Sequence, residues 1–185
     1  MLAQAGIAPD EIRAASIDET PITGELPRVH AERLAEAKAR KVAGECAGPP
    51  ELATDGAGAF VLAADTVVAC GRRILPKAEN DGEVRACLAM LSGRSHQVIT
   101  AVVLIAPDGK VRRRTVLTRV AFKRLDAEEI AAYIESREGI GKAGGYAIQG
   151  RAETFVRGLN GSYSNVVGLP LSETVSLLRG NAYPC

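Results

Sequence analysis

Two long runs of strand-forming residues meet at one turn signal in the second half of the chain, and this feature limits the fold most. Residues 96–125 are HQVITAVVLIAPDGKVRRRTVLTRVAFKRL, with branched residues on both sides of the Asp108-Gly109 pair. Asp-Gly is preferred in the tight turns that join antiparallel strands, and valine, isoleucine and threonine favour strands. The sequence therefore predicts a long β-hairpin at Asp108-Gly109.

Helical patterns and further strands surround this hairpin. Residues 29–45, VHAERLAEAKARKVAGE, have apolar side chains at helical spacing, and Asp126 with Glu129 has the pattern of a capping box for a helix over 126–136. The remaining predicted elements are a helical turn closed by Gly6, a loop over 47–59, a buried strand over 60–70, a helix over 81–93, a strand over 152–161 and a helix over 169–180. This order predicts one domain of the α/β class.

Charge and cysteine content restrict the partners and the compartment. The chain has 23 basic and 22 acidic residues and a net charge of +1, so it has no overall field to attract nucleic acid or an anionic membrane. It has no apolar run of about 18 residues and no signal-peptide pattern. Its four cysteines are scattered, which is typical of reduced thiols. We expect a cytoplasmic protein that binds neither nucleic acid nor membranes.

Asp65 stands out because it interrupts the apolar run LAADTVV. A carboxylate inside an apolar strand loses its hydration unless it is paired or faces a cleft. Ligand clefts in α/β sheets lie at the carboxyl ends of strands, which favours a functional site at Asp65 and Thr66. The alternative is a structural aspartate that caps a turn or binds a lysine, and the residue pattern leaves both open.

A set of lysines and a second acidic pair suggest a phosphate site. The lysines are Lys38, Lys77 and Lys142. Each alone is typical of a solvated surface group, but together with Asp65 and a glycine-rich stretch they fit a site for a polyphosphate and a divalent cation. Asp18 and Glu19 are further candidate ligands of a cation or water, with a polar turn before Pro21 as the alternative.

The stretch 142–171, KAGGYAIQGRAETFVRGLNGSYSNVVGLPL, is crowded with glycine and carries the amide of Gln149, which we expect to be buried. Dense glycine in an ordered domain indicates tight turns or close approach of the backbone to another group. We expect these glycines to shape a pocket in which the amide offers both a donor and an acceptor.

Six motifs in register resemble the Maf family of nucleoside triphosphate pyrophosphatases over essentially the whole chain. They are SIDET…GE, RLAEAKA, AADTVV, LSGRSHQVIT, KAGGYAIQG and GSYSNVVGLPL. The resemblance implies an α/β fold like that of inosine-triphosphate pyrophosphatases, with a bent mixed β-sheet, flanking helices and a central cleft between two lobes. It also implies hydrolysis between the α and β phosphates with Mg²⁺ or Mn²⁺, giving a nucleoside monophosphate and pyrophosphate.

The resemblance also assigns roles to individual residues. Asp65 resembles the catalytic acidic residue and is the candidate metal ligand, and Thr66 resembles a substrate-selecting position. Gln149 resembles the amide that selects the base. The positions that resemble polar residues lining the triphosphate cleft are Glu19, Lys38 and Lys77. KAGGYAIQG is similar to the dTTP/UTP subgroup, and a neutral glutamine suits a neutral pyrimidine, whereas a glutamate would suit a methylated, cationic purine.

Further expectations concern two other possible functions and the part of the family's length that the chain covers. A pyrophosphatase for modified nucleotides such as 7-methyl-GTP is one alternative, and a nucleotide-binding, cell-division-associated protein without turnover is another. The family opens with a strand and a Ser-x-Ser-x-Arg-Arg loop that these 185 residues do not contain. We therefore expect 1–185 to form one Maf-like domain, N-terminally truncated relative to the family, with weakened activity because an arginine is a strong phosphate ligand. The resemblance also suggests a homodimer.

Overall fold

The computed structural model describes residues 1–46 and 59–183, so the predicted loop over 47–59 lies almost wholly outside the described residues. The strands are β1 (Val61–Cys70), β2 (Arg73–Leu75), β3 (Ser95–Ile105), β4 (Val111–Phe122) and β5 (Val156–Asn160). They form one five-stranded sheet in the order β2-β1-β3-β4-β5. The α/β class with helices flanking a sheet is therefore confirmed.

Of the five α-helices in the described residues, four lie where the sequence patterns predict them, and the short helix over 163–167 was not predicted. They are α1 (Pro27–Cys46), α2 (Asp81–Leu91), α3 (Ala127–Glu135), α4 (Tyr163–Val167) and α5 (Leu171–Arg179), with short 3₁₀-helices at Leu2–Ala5 and Arg151–Phe155. The capping box is present, since the Asp126 side chain accepts from the Glu129 backbone N–H and the Glu129 side chain accepts from the Asp126 N–H. The predicted strand over 152–161 is shorter than expected, because its first residues form a 3₁₀-helix.

The predicted hairpin is confirmed. β3 and β4 pair from Ser95↔Ala121 to Ile105↔Val111, and Gly109 has a φ of 75° in the turn between them. This left-handed backbone conformation strains residues that have a Cβ atom, which explains why glycine follows Asp108.

The sheet is antiparallel in all four strand pairs of the described ranges, whereas the family resemblance implied a mixed sheet. The cause is the connectivity of these strands. A tight turn at Gly71 (φ 62°) returns the chain from β1 to β2, and β3 begins beside the end of β1, with Gln97 opposite Ala69. Tight turns between β1 and β2 and between β3 and β4 allow only antiparallel pairing, while β1 with β3 and β4 with β5 also pair antiparallel across longer connections.

Helix α1 lies across the sheet and brings its charged residues to β1. Its buried face includes Ala31, Ala35 and Ala39, which pack in one cluster with Val67 and Ile99. Because this apolar face is buried against β1 and β3, the position of the helix over these strands is fixed. Within residues 1–46 and 59–183, no helix is long and apolar enough to cross a membrane.

Candidate active site

Asp65 lies in the middle of the ten-residue strand β1, not at its carboxyl end. Its side chain is buried, and its backbone is opposite Ala101 of β3. On the other edge of β1, β2 pairs only with residues 68–70. The strand edge at Asp65 and Thr66 is therefore left open toward a cleft, which is how a residue in mid-strand reaches a ligand site.

Lys38 joins the two carboxylates of the site. Its Nζ lies 2.6 Å from Asp65 Oδ1 and 2.6 Å from Glu19 Oε1. Lys77 Nζ lies 2.5 Å from Glu19 Oε2. Four residues that are far apart in the sequence therefore form one alternating row of charges. Asp65 does bind a lysine, as the structural alternative required, but it does so at the wall of a cavity.

The surroundings shift the pKa values of Asp65 and Glu19 in opposite directions. Burial raises the pKa of Asp65, although the hydrogen bond from Lys38 opposes this shift. Burial alone would also raise the pKa of Glu19, but hydrogen bonds from Lys38 and Lys77 outweigh it and lower that pKa. For Lys38, hydrogen bonds to both carboxylates outweigh burial and raise the pKa. Glu19 thus stays anionic, while Asp65 gains the basicity of a proton acceptor.

Two adjoining cavities meet at these residues. One has a volume of about 280 Å³ and is lined among others by Lys38, Asp65, Thr66, Lys77, Lys142 and Gln149. The other, of about 430 Å³, is lined by Glu19, His30 and Leu34 and shares Asp65, Thr66 and Lys77 with the first. Small-molecule sites typically measure about 300–1,000 Å³. Together the two cavities are large enough for a ligand of nucleotide size, with the charge row at their junction.

The glycines of KAGGYAIQG bring its backbone close to the sheet, as their density predicted. Gly144 has a φ of 69°, and a Cβ atom there would lie 2.7 Å from Val68 Cγ1. Its N–H donates to the Pro76 carbonyl at 3.0 Å, and the Ala78 N–H donates to the Lys142 carbonyl at 3.1 Å. These contacts align the segments that carry Lys77 and Lys142 along one cavity wall.

Thr66 is held by a buried polar network. Its Oγ1 lies 2.9 Å from Thr100 Oγ1, and that hydroxyl donates to the Asn165 carbonyl at 3.1 Å. The Asn165 side chain donates to the Val98 carbonyl and to Thr118 Oγ1, each at 3.0 Å. Asn165 thereby fixes the cavity wall formed by residues 166–168 to the sheet. Sequence reasoning gave Asn165 no role, and its only signal was an amide before an apolar Val-Val pair.

Gln149 differs from its prediction in one respect. It lines the smaller cavity, but its side chain is exposed, whereas the buried neighbour is Ile148. The two residues are adjacent in a turn, so the apolar side chain packs inward and the amide stands at the cavity mouth. A base that enters the cavity would therefore cover the Gln149 amide.

The described residues hold no cluster of three or more histidine, cysteine, aspartate or glutamate side chains suited to a metal ion. Asp65 and Glu19 nevertheless bring two carboxylates to the same Lys38 ammonium. Mg²⁺ is usually bound by one or two carboxylates together with water and substrate phosphates. The residues present therefore fit a divalent ion that arrives with a polyphosphate, and not a closed cage made by the protein alone.

Comparison with known proteins finds one family over almost the whole chain. A family model described as "Maf-like protein" matches residues 1–181. A dTTP/UTP pyrophosphatase of Paramagnetospirillum magneticum is 58% identical over 97% of this chain and 90% of the relative. Proteins of the same name from Rhodopseudomonas palustris and Nitrobacter hamburgensis are 58% and 56% identical, over 100% of this chain and 87% of each relative.

Proposed function

The chain belongs to the Maf family, and we propose that it is a pyrophosphatase that hydrolyses dTTP and UTP to the nucleoside monophosphate and pyrophosphate. The observation that carries this proposal is the buried Asp65 carboxylate at the junction of two cavities, paired with Lys38 at 2.6 Å. The names of the relatives, at 56–58% identity, give the reaction and the substrates.

Asp65 acts as the general base in this proposal. Its Oδ1 accepts a hydrogen bond from Lys38, and the remaining lone pairs of the carboxylate are available to a water molecule and to a cation. Asp65 takes a proton as the water oxygen bonds to the α-phosphorus, and the bond from that phosphorus to the bridging oxygen breaks. The electron pair leaves with pyrophosphate. A raised pKa makes the carboxylate a better acceptor for this proton.

Lys38 and Lys77 stabilise the charge that develops on the leaving group. Both are held near the phosphate position by Glu19 before substrate binds. Ammonium groups that are already in place require no reorganisation when charge moves onto the pyrophosphate. Lys142 lines the same cavity and adds positive charge there.

Asp65 and Glu19 would hold Mg²⁺ or Mn²⁺ together with the substrate phosphates. The ion would neutralise phosphate charge and make the α-phosphorus more electrophilic. Glu19 is suited to this role because Lys38 and Lys77 keep its pKa below the ordinary value. The carboxylate therefore stays ionised and able to bind a cation.

Gln149 and Thr66 select the base in this proposal. The Gln149 amide can donate to a carbonyl of uracil or thymine and accept from its N–H group. A neutral amide does not offset the charge of a methylated guanine, so 7-methyl-GTP, the substrate of the first alternative, is disfavoured. The second alternative, a nucleotide-binding protein without turnover, does not require the basic carboxylate at the cavity junction.

The same proposal leads to expectations about the domain organisation, compartment, oligomeric state and partners of the protein. We expect residues 1–185 to act as one domain with two lobes, in the cytoplasm and as a homodimer that binds neither nucleic acid nor membranes. The thiols of Cys46, Cys70 and Cys87 are unbonded, which agrees with a reducing compartment. Light scattering of the purified protein measures the number of subunits.

A nucleotide panel tests the proposed function. Pyrophosphate release is measured for UTP, dTTP, CTP, GTP and 7-methyl-GTP, with Mg²⁺, with Mn²⁺ and with EDTA. The proposal predicts the highest kcat/KM for UTP and dTTP and loss of turnover in EDTA. A preference for 7-methyl-GTP supports the first alternative, and nucleotide binding without release of pyrophosphate supports the second.

A further inference from the structure

Glu19 lies in a segment that has no regular secondary structure. Residues 7–26 contain neither a helix nor a strand, so no ladder of backbone hydrogen bonds fixes them. Side chains from α1 hold the segment instead. The Arg33 Nη2 donates to the Thr20 carbonyl at 3.1 Å, and Lys41 Nζ donates to the Ser16 carbonyl at 2.5 Å.

Arg33 is itself fixed by a buried carboxylate at the end of the same segment. Its Nε and Nη2 donate to Glu25 at 2.7 Å and 2.9 Å, so the pair is bidentate. The Glu25 side chain is only 4% exposed. Glu25 Oε2 also accepts from the Ile22 N–H at 3.1 Å and lies 2.8 Å from His30 Nδ1. Bidentate pairs of this kind are both stronger and more directional than single hydrogen bonds.

The contacts of Glu19 itself do not suffice to hold it during catalysis. Its partners are Lys38 and Lys77, and both line the cavity that a triphosphate would enter. Phosphate oxygens compete for these ammonium groups when substrate binds. The contact of Arg33 with Thr20 involves a backbone carbonyl next to Glu19 and neither of these lysines, so it persists.

We propose that Glu25 and Arg33 are positioning residues that hold the segment carrying Glu19, and thereby Glu19 itself, over the Lys38–Asp65 pair. This inference rests on the proposed function. Arg33 does not act on the substrate; it fixes the Thr20 carbonyl, and Glu25 fixes Arg33. Both residues are therefore required for the action of Glu19.

A double-mutant cycle tests this dependence. We would measure kcat and KM for UTP in wild type, Glu19→Gln, Glu25→Gln and the double variant, with concentrations corrected for folded protein. Glu25→Gln should lower kcat/KM about tenfold, and the double variant should match Glu19→Gln within about twofold, because the two changes remove one function. Glu36→Gln is the control, since Glu36 lies on α1 in pairs with Arg40 and Arg113, and its kcat/KM should be unchanged.

A second variant covers the case in which Glu25→Gln does not fold. Arg33→Lys keeps the charge beside Glu25 but loses the planar guanidinium that donates to Glu25 through two nitrogens and also reaches the Thr20 carbonyl. It replaces Glu25→Gln in the cycle with the same expectation. A purely structural role would lower the melting temperature but leave kcat/KM per folded molecule unchanged. That result, or additive losses in the double variant, overturns the inference. Absence of pyrophosphate release by the wild type contradicts the proposed function instead.

Discussion

The Lys38 ammonium lies 2.6 Å from the Asp65 carboxylate and also 2.6 Å from that of Glu19, and it is largely buried. One cation from α1 therefore pairs with a carboxylate on β1 and with a second on an irregular segment. Burial raises the pKa of Asp65 and the hydrogen bond from Lys38 opposes this shift, so the chemistry assigned to Asp65 depends on a helix that packs through alanines on the sheet.

Replacing Lys38 with methionine should destabilise the protein strongly. The change leaves Asp65 buried without its cation, and the free energy of unfolding should fall by about 2–4 kcal/mol. Urea unfolding measures this loss. Lys110→Met is the matched control, because Lys110 is exposed beside Asp108 and should change stability by less than about 0.5 kcal/mol. Adding Asp65→Asn to Lys38→Met should restore part of the stability; an equal or larger loss would contradict the pairing.

Gln149→Glu should reduce the use of UTP and dTTP. A carboxylate cannot donate to a base carbonyl and repels the nearby phosphates. The loss of one base-selecting hydrogen bond should lower kcat/KM for UTP and dTTP relative to 7-methyl-GTP by about 5- to 150-fold, or about 1–3 kcal/mol. Gln97→Glu, on β3 and outside the residues that line either cavity, serves as control. An unchanged ranking of substrates would show that Gln149 does not select the base.

Gly144→Ala should disturb both stability and the site. Gly144 and Gly109 have φ angles of 69° and 75°, but a Cβ atom on Gly109 meets nothing within 4 Å, whereas one on Gly144 lies 2.7 Å from Val68. Both alanines bear the backbone strain of about 1–2 kcal/mol. The additional clash should make Gly144→Ala less stable than Gly109→Ala by urea unfolding and should lower its kcat/KM. Equal losses of stability would mean that the contact with the sheet is unimportant.

His96 should make stability fall in mild acid. Its Nε2 lies 2.7 Å from Tyr146 Oη, and burial lowers its pKa from 6.5 to about 4. The unfolded chain therefore binds more protons than the folded protein between these values. The contribution of His96 is complete above pH 6.5 and is lost as the pH falls toward 4, by at most about 1.4 kcal/mol per pH unit.

Urea unfolding between pH 4 and pH 7 checks this prediction in wild type and His96→Gln. The variant removes the titrating ring but keeps a polar side chain, so its free energy of unfolding should depend less on pH in this window. Carboxylates titrate in both proteins and their effect cancels in the comparison. Parallel pH profiles for the two proteins would show that His96 does not contribute.

The sequence predicted the local elements because their signals are local, whereas the roles of the site residues came from the family resemblance and stay predictions. Asp108-Gly109, the Asp126 capping box and the alanine-rich α1 each determine their own structure within a few residues. The exposure of Gln149 and the roles of Asn165 and Arg33 depend on contacts between distant segments. Arg33 binds Thr20, and Asn165 on α4 binds Thr118 on β4, so no pattern in either segment alone could indicate them.

Hydrolysis of UTP in water enriched in ¹⁸O tests the central claim most directly. The products of wild type and Asp65→Asn are analysed by mass spectrometry after incubation with Mg²⁺. Attack of water on the α-phosphorus predicts one ¹⁸O atom in UMP and none in pyrophosphate, with the folded Asp65→Asn variant slower by about 100-fold or more. Label in pyrophosphate, release of orthophosphate, or a wild-type rate in the variant would contradict the account.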